Sequence, residues 1–160
     1  MTLPITVSTY NIHKGMSPLN RKVQIAGMAA ALDSLKSDIL FLQEVQGLHL
    51  GREAKLPDFP AAPHYDIIAE RLDFHTSYGR NAVFPQKHHG NAILSRLPIR
   101  ERRNLNITVN RLEKRGVLHC EILPEGWDVP IVCLCAHLNL LERDRVKQYV
   151  AIFEYVTTYI

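Results

Sequence analysis

The chain has 160 residues, 46% of them hydrophobic, with 19 Lys and Arg against 16 Asp and Glu and a formal net charge of +3. That length suits one domain spanning residues 1–160 with a sizeable core, and it excludes two independent domains. The mild basic excess excludes a protein that coats nucleic acid by bulk charge, and it leaves the substrate open.

Along the chain, Ile5 to His13 is rich in β-branched residues and ends at Lys14-Gly15, the pattern of a strand that runs into a loop. Ile25, Met28, Ala29, Leu32 and Leu35 follow helical spacing and predict an amphipathic helix that ends near Ser37-Asp38. The apolar run Ile39 to Leu42 predicts a short buried strand that delivers Gln43-Glu44-Val45 at its far end, and strand, helix, strand is the α/β signature. Pro57, Pro60 and Pro63 make Gly47 to His64 a long loop with one helical turn. Six stretches then read as successive strands without helices between them, an antiparallel meander: Tyr65 to Ala69, Asn81 to Phe84, Asn91 to Ser95, Ile99 to Ile107, Gly116 to Leu123 and Ile131 to Leu138. Trp127 and Pro124 fall in a hairpin loop. Val146, Tyr149, Val150, Phe153 and Val156 mark one face of a last helix, expected to pack on a sheet.

The opening Met1-Thr2-Leu3-Pro4 has no basic start, and no run of about 18 apolar residues occurs anywhere, so the expectation is a soluble protein with no transmembrane segment. The odd count of cysteines, with Cys133 and Cys135 two apart in an apolar run, makes Cys120, Cys133 and Cys135 reduced core residues of a cytoplasmic protein.

Three polar residues stand where apolar strands end: Asn11, Glu44 and His137. Strand ends converge on one rim of a sheet, the usual place for a site in α/β folds. A carboxylate and a carboxamide are hard oxygen donors suited to magnesium, and an imidazole could hold a phosphoryl oxygen. Each also has a structural reading, as a turn cap, a solvated charge or a satisfied core histidine, and position alone leaves both readings open.

The surrounding motifs add a resemblance. Ser8-Thr9-Tyr10-Asn11-Ile12-His13-Lys14-Gly15 and Ile39-Leu40-Phe41-Leu42-Gln43-Glu44-Val45 resemble the first and second motifs of the endonuclease/exonuclease/phosphatase superfamily. His89 to Ile99 is similar to that family's central strand, and Val132 to Leu138 resembles its strand ending in Thr-His-Leu, with Ala136 in place of Thr. The resemblance implies an α/β (α+β) fold, a four-layer sandwich of two mixed β-sheets flanked by helices, here mainly the first half. It implies magnesium, with manganese as the alternative, held by Glu44 and Asn11, and catalytic roles for Asn11 and His137. His13, Tyr78 in Tyr78-Gly79-Arg80-Asn81, and Asn139 are assigned to substrate contact. The family's Gly-Asp-x-Asn and Ser-Asp-His motifs, which supply its water-activating Asp and an oriented histidine, do not occur in the sequence.

The implied activity is hydrolysis of phosphate esters, weak or absent in this chain alone. DNA, RNA and phospholipid head groups all qualify as substrate. The alternative is a noncatalytic binding module built on half of the fold, with the inner face of its sheet exposed and prone to self-association. Lys87-His88-His89-Gly90 lacks the ligand set for zinc. Arg96, Arg100, Arg102, Arg103, Arg111, Lys114 and Arg115 read first as a solvated face and second as a lining for a phosphate-rich ligand.

Overall fold

Parallel strands need a crossover, and the first one here is helical. In the computed structural model, which describes residues 4–160, β1 (Val7–Asn11) lies parallel to β2 (Ile39–His49), and α1 (Ile25–Ser34) connects them. Met1 to Leu3 and the side chains of Asn20, Glu101 and Arg102 lie outside the described residues, so the readings placed on the first three residues and on Arg102 have no structural counterpart. After α2 (Leu50–Glu53) and α3 (His64–Leu72), the hairpin of β3 (His75–Phe84) and β4 (Lys87–Ser95) pairs antiparallel onto β2 and completes a mixed sheet of order β1-β2-β4-β3. A second sheet, antiparallel throughout, follows as β5 (Ile99–Asn106), β6 (Gly116–Ile122) and β7 (Ile131–Ala136), and α4 (Glu142–Tyr159) closes the described chain.

Side chains alternate across a strand, so each strand serves two cores. Leu40, Leu42, Ala92 and Leu94 face Ala29 and Leu32 of α1 and Ile68 and Ala69 of α3. Ile39 and Ile93 point the other way and meet Leu118, Cys120, Ile122, Cys133 and Cys135 of the second sheet. On the outer face of that sheet, His119 Nδ1 and Tyr155 Oη of α4 lie 2.7 Å apart. The layers are helices, mixed sheet, antiparallel sheet, helix, which is the four-layer arrangement anticipated. It reaches three strands into the second sheet, further than the connection expected. All three cysteines are buried and outside any disulfide, as anticipated, and among the described residues no helix is long and apolar enough to cross a membrane.

Three expectations are corrected. Tyr65 to Ala69 is helix, not strand: β-branched Ile67 and Ile68 suggest a strand, but His64, Ile68 and Ala69 are buried at helical spacing behind Pro63. The inner sheet face is not exposed, because the two sheets bury it against each other. The last helix turns the opposite way from its apolar pattern: Val146, Tyr149, Val150 and Phe153 are exposed, while Asp144, Gln148 and Tyr155 are buried.

One polar side chain ties the sheets together inside the core. Asn91, 1% exposed, donates from Nδ2 to the carbonyls of Gly116 and Cys135, each at 3.0 Å. Removing it strands two buried carbonyls, so Asn91→Ala is expected to lower unfolding free energy by about 2 kcal/mol in urea titrations. A change indistinguishable from zero would show that the amide is not a tie between the sheets.

Candidate functional site

The position of Glu44 depends on a bulge. β2 and β4 are paired with Leu42 opposite Ala92 and then Val45 opposite Gly90, so Gln43 and Glu44 together face Asn91 alone. Leu42 and Val45 both belong to the helix-side core. Strict alternation would send Glu44 there instead of Val45. The extra residue turns Glu44 toward the inter-sheet side, at a φ of 52°. That left-handed conformation costs a non-glycine residue about 1–2 kcal/mol, and bulges of this kind re-aim side chains beside active sites.

β1 ends alongside, Asn11 opposite Gln43. Asn11 Nδ2 donates to Glu44 Oε1 at 3.3 Å, and its Oδ1 accepts the His13 backbone N–H at 2.9 Å. The Asn11 oxygen is thus engaged by the turn, and its nitrogen faces the carboxylate. The turn over His13–Gly15 has three successive left-handed residues, with φ of 48° at His13, 55° at Lys14 and 64° at Gly15. This curl brings Lys14 Nζ to 3.2 Å and His13 Nδ1 to 3.6 Å from Glu44 Oε2. A Cβ on Gly15 would lie 2.5 Å from His64 Cε1, so only glycine fits against that ring.

His137 follows β7 directly and places Nδ1 3.9 Å from Glu44 Oε1. Burial first, and the Arg115 charge second, hold His137 below the usual imidazole range. Burial alone would raise Glu44, but the Lys14 charge and the interactions with Asn11 and Lys14 outweigh it and keep the carboxyl low. Glu44 is therefore an anion and His137 a neutral imidazole at pH 7. Glu44 Oε2 is buried, and among the described residues it is met by the Lys14 ion pair at 3.2 Å rather than by a well-aligned hydrogen bond. A buried, ionised carboxylate oxygen is a fit for a hard divalent cation.

A pocket of about 260 Å³ opens beside this carboxylate, lined by Lys14, Glu44, Phe84, His89 and the segment 111–115. Arg115 bonds Glu113 Oε1 through Nη2 at 2.8 Å. His89 is pushed down to about 4 by burial and then by the Lys14 charge. Arg115, read from sequence first as a solvated residue and second as part of a phosphate lining, and His89, weighed there only in the zinc reading, both join the site. Arg115 immediately precedes β6, and His89 lies among the first, turn-proximal residues of β4.

Of the candidate residues, the structure gathers Asn11, His13, Glu44 and His137 around one carboxylate. It does not bring Tyr78 or Asn139 into contact with them. Tyr78 stacks on Tyr65 with ring centroids 4.3 Å apart and packs on the helix-side core, and its hydroxyl lies 3.1 Å from His88 Nδ1. Asn139, 2% exposed, donates to Asp144 Oδ2 at 3.1 Å and accepts from Gln148 Nε2 at 3.0 Å. Adjacent His88 and His89 point to opposite sides, and among the described residues no group of three or more His, Cys, Asp or Glu could hold a metal.

A model of the Endonuclease/Exonuclease/phosphatase family matches residues 8–151. The chain is 40% identical over 150 residues to "Uncharacterized protein YbhP" of Escherichia coli K12 and of Shigella flexneri, covering 94% of this chain and 59% of theirs. It thus spans 59% of the length of the relatives it matches. Among solved structures, an endonuclease/exonuclease/phosphatase from Beutenbergia cavernae superimposes with a TM-score of 0.75 at 22% identity, over 94% of this chain and 44% of that one. A family protein from Leptotrichia buccalis gives 0.72 at 19%, over 94% and 62%. D. rerio TDP2 complexed with single strand DNA product gives 0.64 at 15%, over 98% and 56%.

Two measurements check this geometry. If the bulge is strained, Glu44→Gly should raise unfolding free energy by about 1 kcal/mol while removing the carboxylate, and a clear loss of stability would contradict the strain. His64 is 1% exposed, neither ring nitrogen has a hydrogen-bond partner among the described residues, and burial, with the Arg52 charge second, pushes it down to about 4. A depressed histidine stabilises the fold fully above its unfolded value of 6.5 and loses that contribution as pH falls toward about 4. The His64 ring should titrate near that lower value by NMR, with stability declining over the same window. A midpoint near 6.5 would refute the buried neutral assignment.

Proposed function

The chain belongs to the endonuclease/exonuclease/phosphatase family, and on that premise we propose that Glu44, Asn11, His13 and His137 form the metal-binding and phosphate-binding side of a phosphoesterase site. The observation that carries this reading is the buried Glu44 carboxylate, held ionised by Lys14 at 3.2 Å and by the Asn11 amide, with His13 and His137 beside it.

Glu44 would hold a divalent cation, magnesium or manganese, whose chemistry in such a site is to neutralise charge on the phosphoryl oxygens and the leaving group. Asn11 fixes the Glu44 carboxylate from one side through its amide, and the curl of His13–Gly15 brings Lys14 against the other. Neutral His137 can donate an N–H to a phosphoryl oxygen, and Arg115 adds positive charge at the same rim. The pocket offers no free carboxylate for water activation among the described residues: Glu44 is assigned to the cation, and Glu113 is tied to Arg115. We therefore assign the 160-residue chain binding of metal and phosphate with slow turnover. The substrate is a phosphate ester, with nucleic acid favoured by the DNA complex of the structurally similar TDP2.

A second reading, a noncatalytic interaction module, draws on exposed Val146, Tyr149, Val150 and Phe153 and on an apolar cleft of about 470 Å³ lined by residues of β1, β2, β7 and Trp127. The two readings separate by experiment. Calorimetry should give one magnesium or manganese site that Glu44→Gln removes, and bis(4-nitrophenyl) phosphate should be hydrolysed slowly and only with metal. Absence of metal binding, together with metal-independent association in sedimentation, would favour the module. Fast turnover that is lost in Glu44→Gln would overturn the assignment of slow turnover.

A further inference from the structure

The segment between β5 and β6 is a surface loop, yet its shape is set from the interior. Asn110 Oδ1 accepts the backbone N–H groups of Leu112 and Glu113, each at 2.9 Å, while its Nδ2 donates to Asp144 Oδ2 at 2.8 Å. Arg115 N–H donates to Thr108 Oγ1 at 3.0 Å and Ile107 N–H to the Arg115 carbonyl at 3.1 Å, which pinches the base of the loop. Asp144 is 4% exposed and Gln148 fully buried, and Gln148 Nε2 donates on to the Ile107 carbonyl at 3.1 Å. A loop anchored by buried charge-assisted bonds keeps its conformation without a ligand.

What the loop presents is cationic. Arg111 and Lys114 are exposed, line the same pocket as Glu44, and form no ion pair among the described residues. Across the pocket stands Lys14, and between them Arg115 has a buried Nε with no acceptor among the described residues. Four cations thus surround a space in which Glu113 already neutralises part of Arg115. A single phosphodiester brings one negative charge, which the Glu44 side of the site can meet with Lys14, shared with Glu44, and with the N–H of neutral His137. Arg111 and Lys114 remain in excess of that need, held at a fixed place.

We propose that Arg111 and Lys114, on the fixed 107–115 loop, form a second anion subsite that takes a phosphate flanking the scissile one, so that the preferred substrate carries at least two neighbouring phosphates. This deepens the phosphoesterase reading and rests on it for the word scissile, but the subsite itself is a property of the loop and needs no metal.

The test is calorimetry on the 160-residue chain in the presence of EDTA. Pyrophosphate should bind about tenfold more tightly than inorganic phosphate, as one additional charge-assisted contact gives. The double substitution Arg111→Ala with Lys114→Ala should erase the preference, whereas Lys87→Ala, the loss of one charge outside the pocket, should leave it. Asn110→Ala keeps every cation but frees the loop, and should reduce the preference at least threefold. Equal affinity for the two anions, an equal effect of Lys87→Ala, or no effect of Asn110→Ala would each overturn the proposal. A 5′-phosphorylated dinucleotide and a glycerol-bridged bisphosphate, tested in the same way, separate a nucleic-acid source of the second phosphate from a lipid head group. Since no metal is present, a chain that fails to bind magnesium yet keeps the pyrophosphate preference defeats the phosphoesterase reading and leaves the subsite standing.

Discussion

Everything at the rim depends on one residue being out of step. The bulge at Gln43-Glu44 lets β2 bury Leu40, Leu42 and Val45 against the helices while the carboxylate between them faces the second sheet. Without the bulge the strand faces a choice that burial energetics decides: a charged group in the helix-side core costs several kcal/mol, so the strand would slip or the core would lose Val45. The left-handed conformation of Glu44 is a smaller cost than either. The strain is thus the local consequence of asking a continuous hydrophobic strand to carry one ionised group at its midpoint.

Once the carboxylate is placed, its neighbours determine its chemistry. Burial would by itself favour the neutral acid, and a lone buried carboxyl would be poor at holding a cation. Lys14 and the Asn11 amide reverse that tendency, and the left-handed turn that carries Lys14 lies so close to His64 that only a glycine fits at Gly15. The same burial acts in the opposite sense on His64, His89 and His137, removing their positive charge. The rim thereby separates its charges by chemical type: permanent cations from Lys and Arg, anions from Glu44 and Glu113, and neutral imidazoles between them.

The strands that build this rim were legible because their signals are local. Asn11, Glu44 and His137 each close an apolar run, and the motifs around them fixed which strand ends meet. The failures share a cause as well. Tyr65 to Ala69 reads as a strand because Ile67 and Ile68 are β-branched, and the helix is decided instead by what His64, Ile68 and Ala69 touch. Tyr78 and Asn139 sit in suggestive words, but which way a side chain turns depends on partners far away in sequence: Tyr65 and His88 for one, Asp144 and Gln148 for the other. The bulge itself cannot be read from Leu42-Gln43-Glu44-Val45, because a two-against-one pairing exists only once β4 is laid beside β2.

The last helix makes the same point about energetics. Its apolar stripe of Val146, Tyr149, Val150 and Phe153 predicts the buried face, yet the helix is held by Asp144 and Gln148, which bond Asn110, Asn139 and the carbonyl of Ile107. A buried carboxylate is tolerable only when its oxygens are satisfied, and Asn110 and Asn139 both donate to the same oxygen of Asp144. Rotating α4 to bury the stripe would break those bonds and leave Asp144 without partners, a penalty of several kcal/mol set against about 25 cal/mol for each Å² of apolar surface covered. The network therefore wins over the stripe in the described chain. In doing so it fixes the 107–115 loop and the segment after His137 to one helix, so the cationic wall and the imidazole of the rim share a single rigid support.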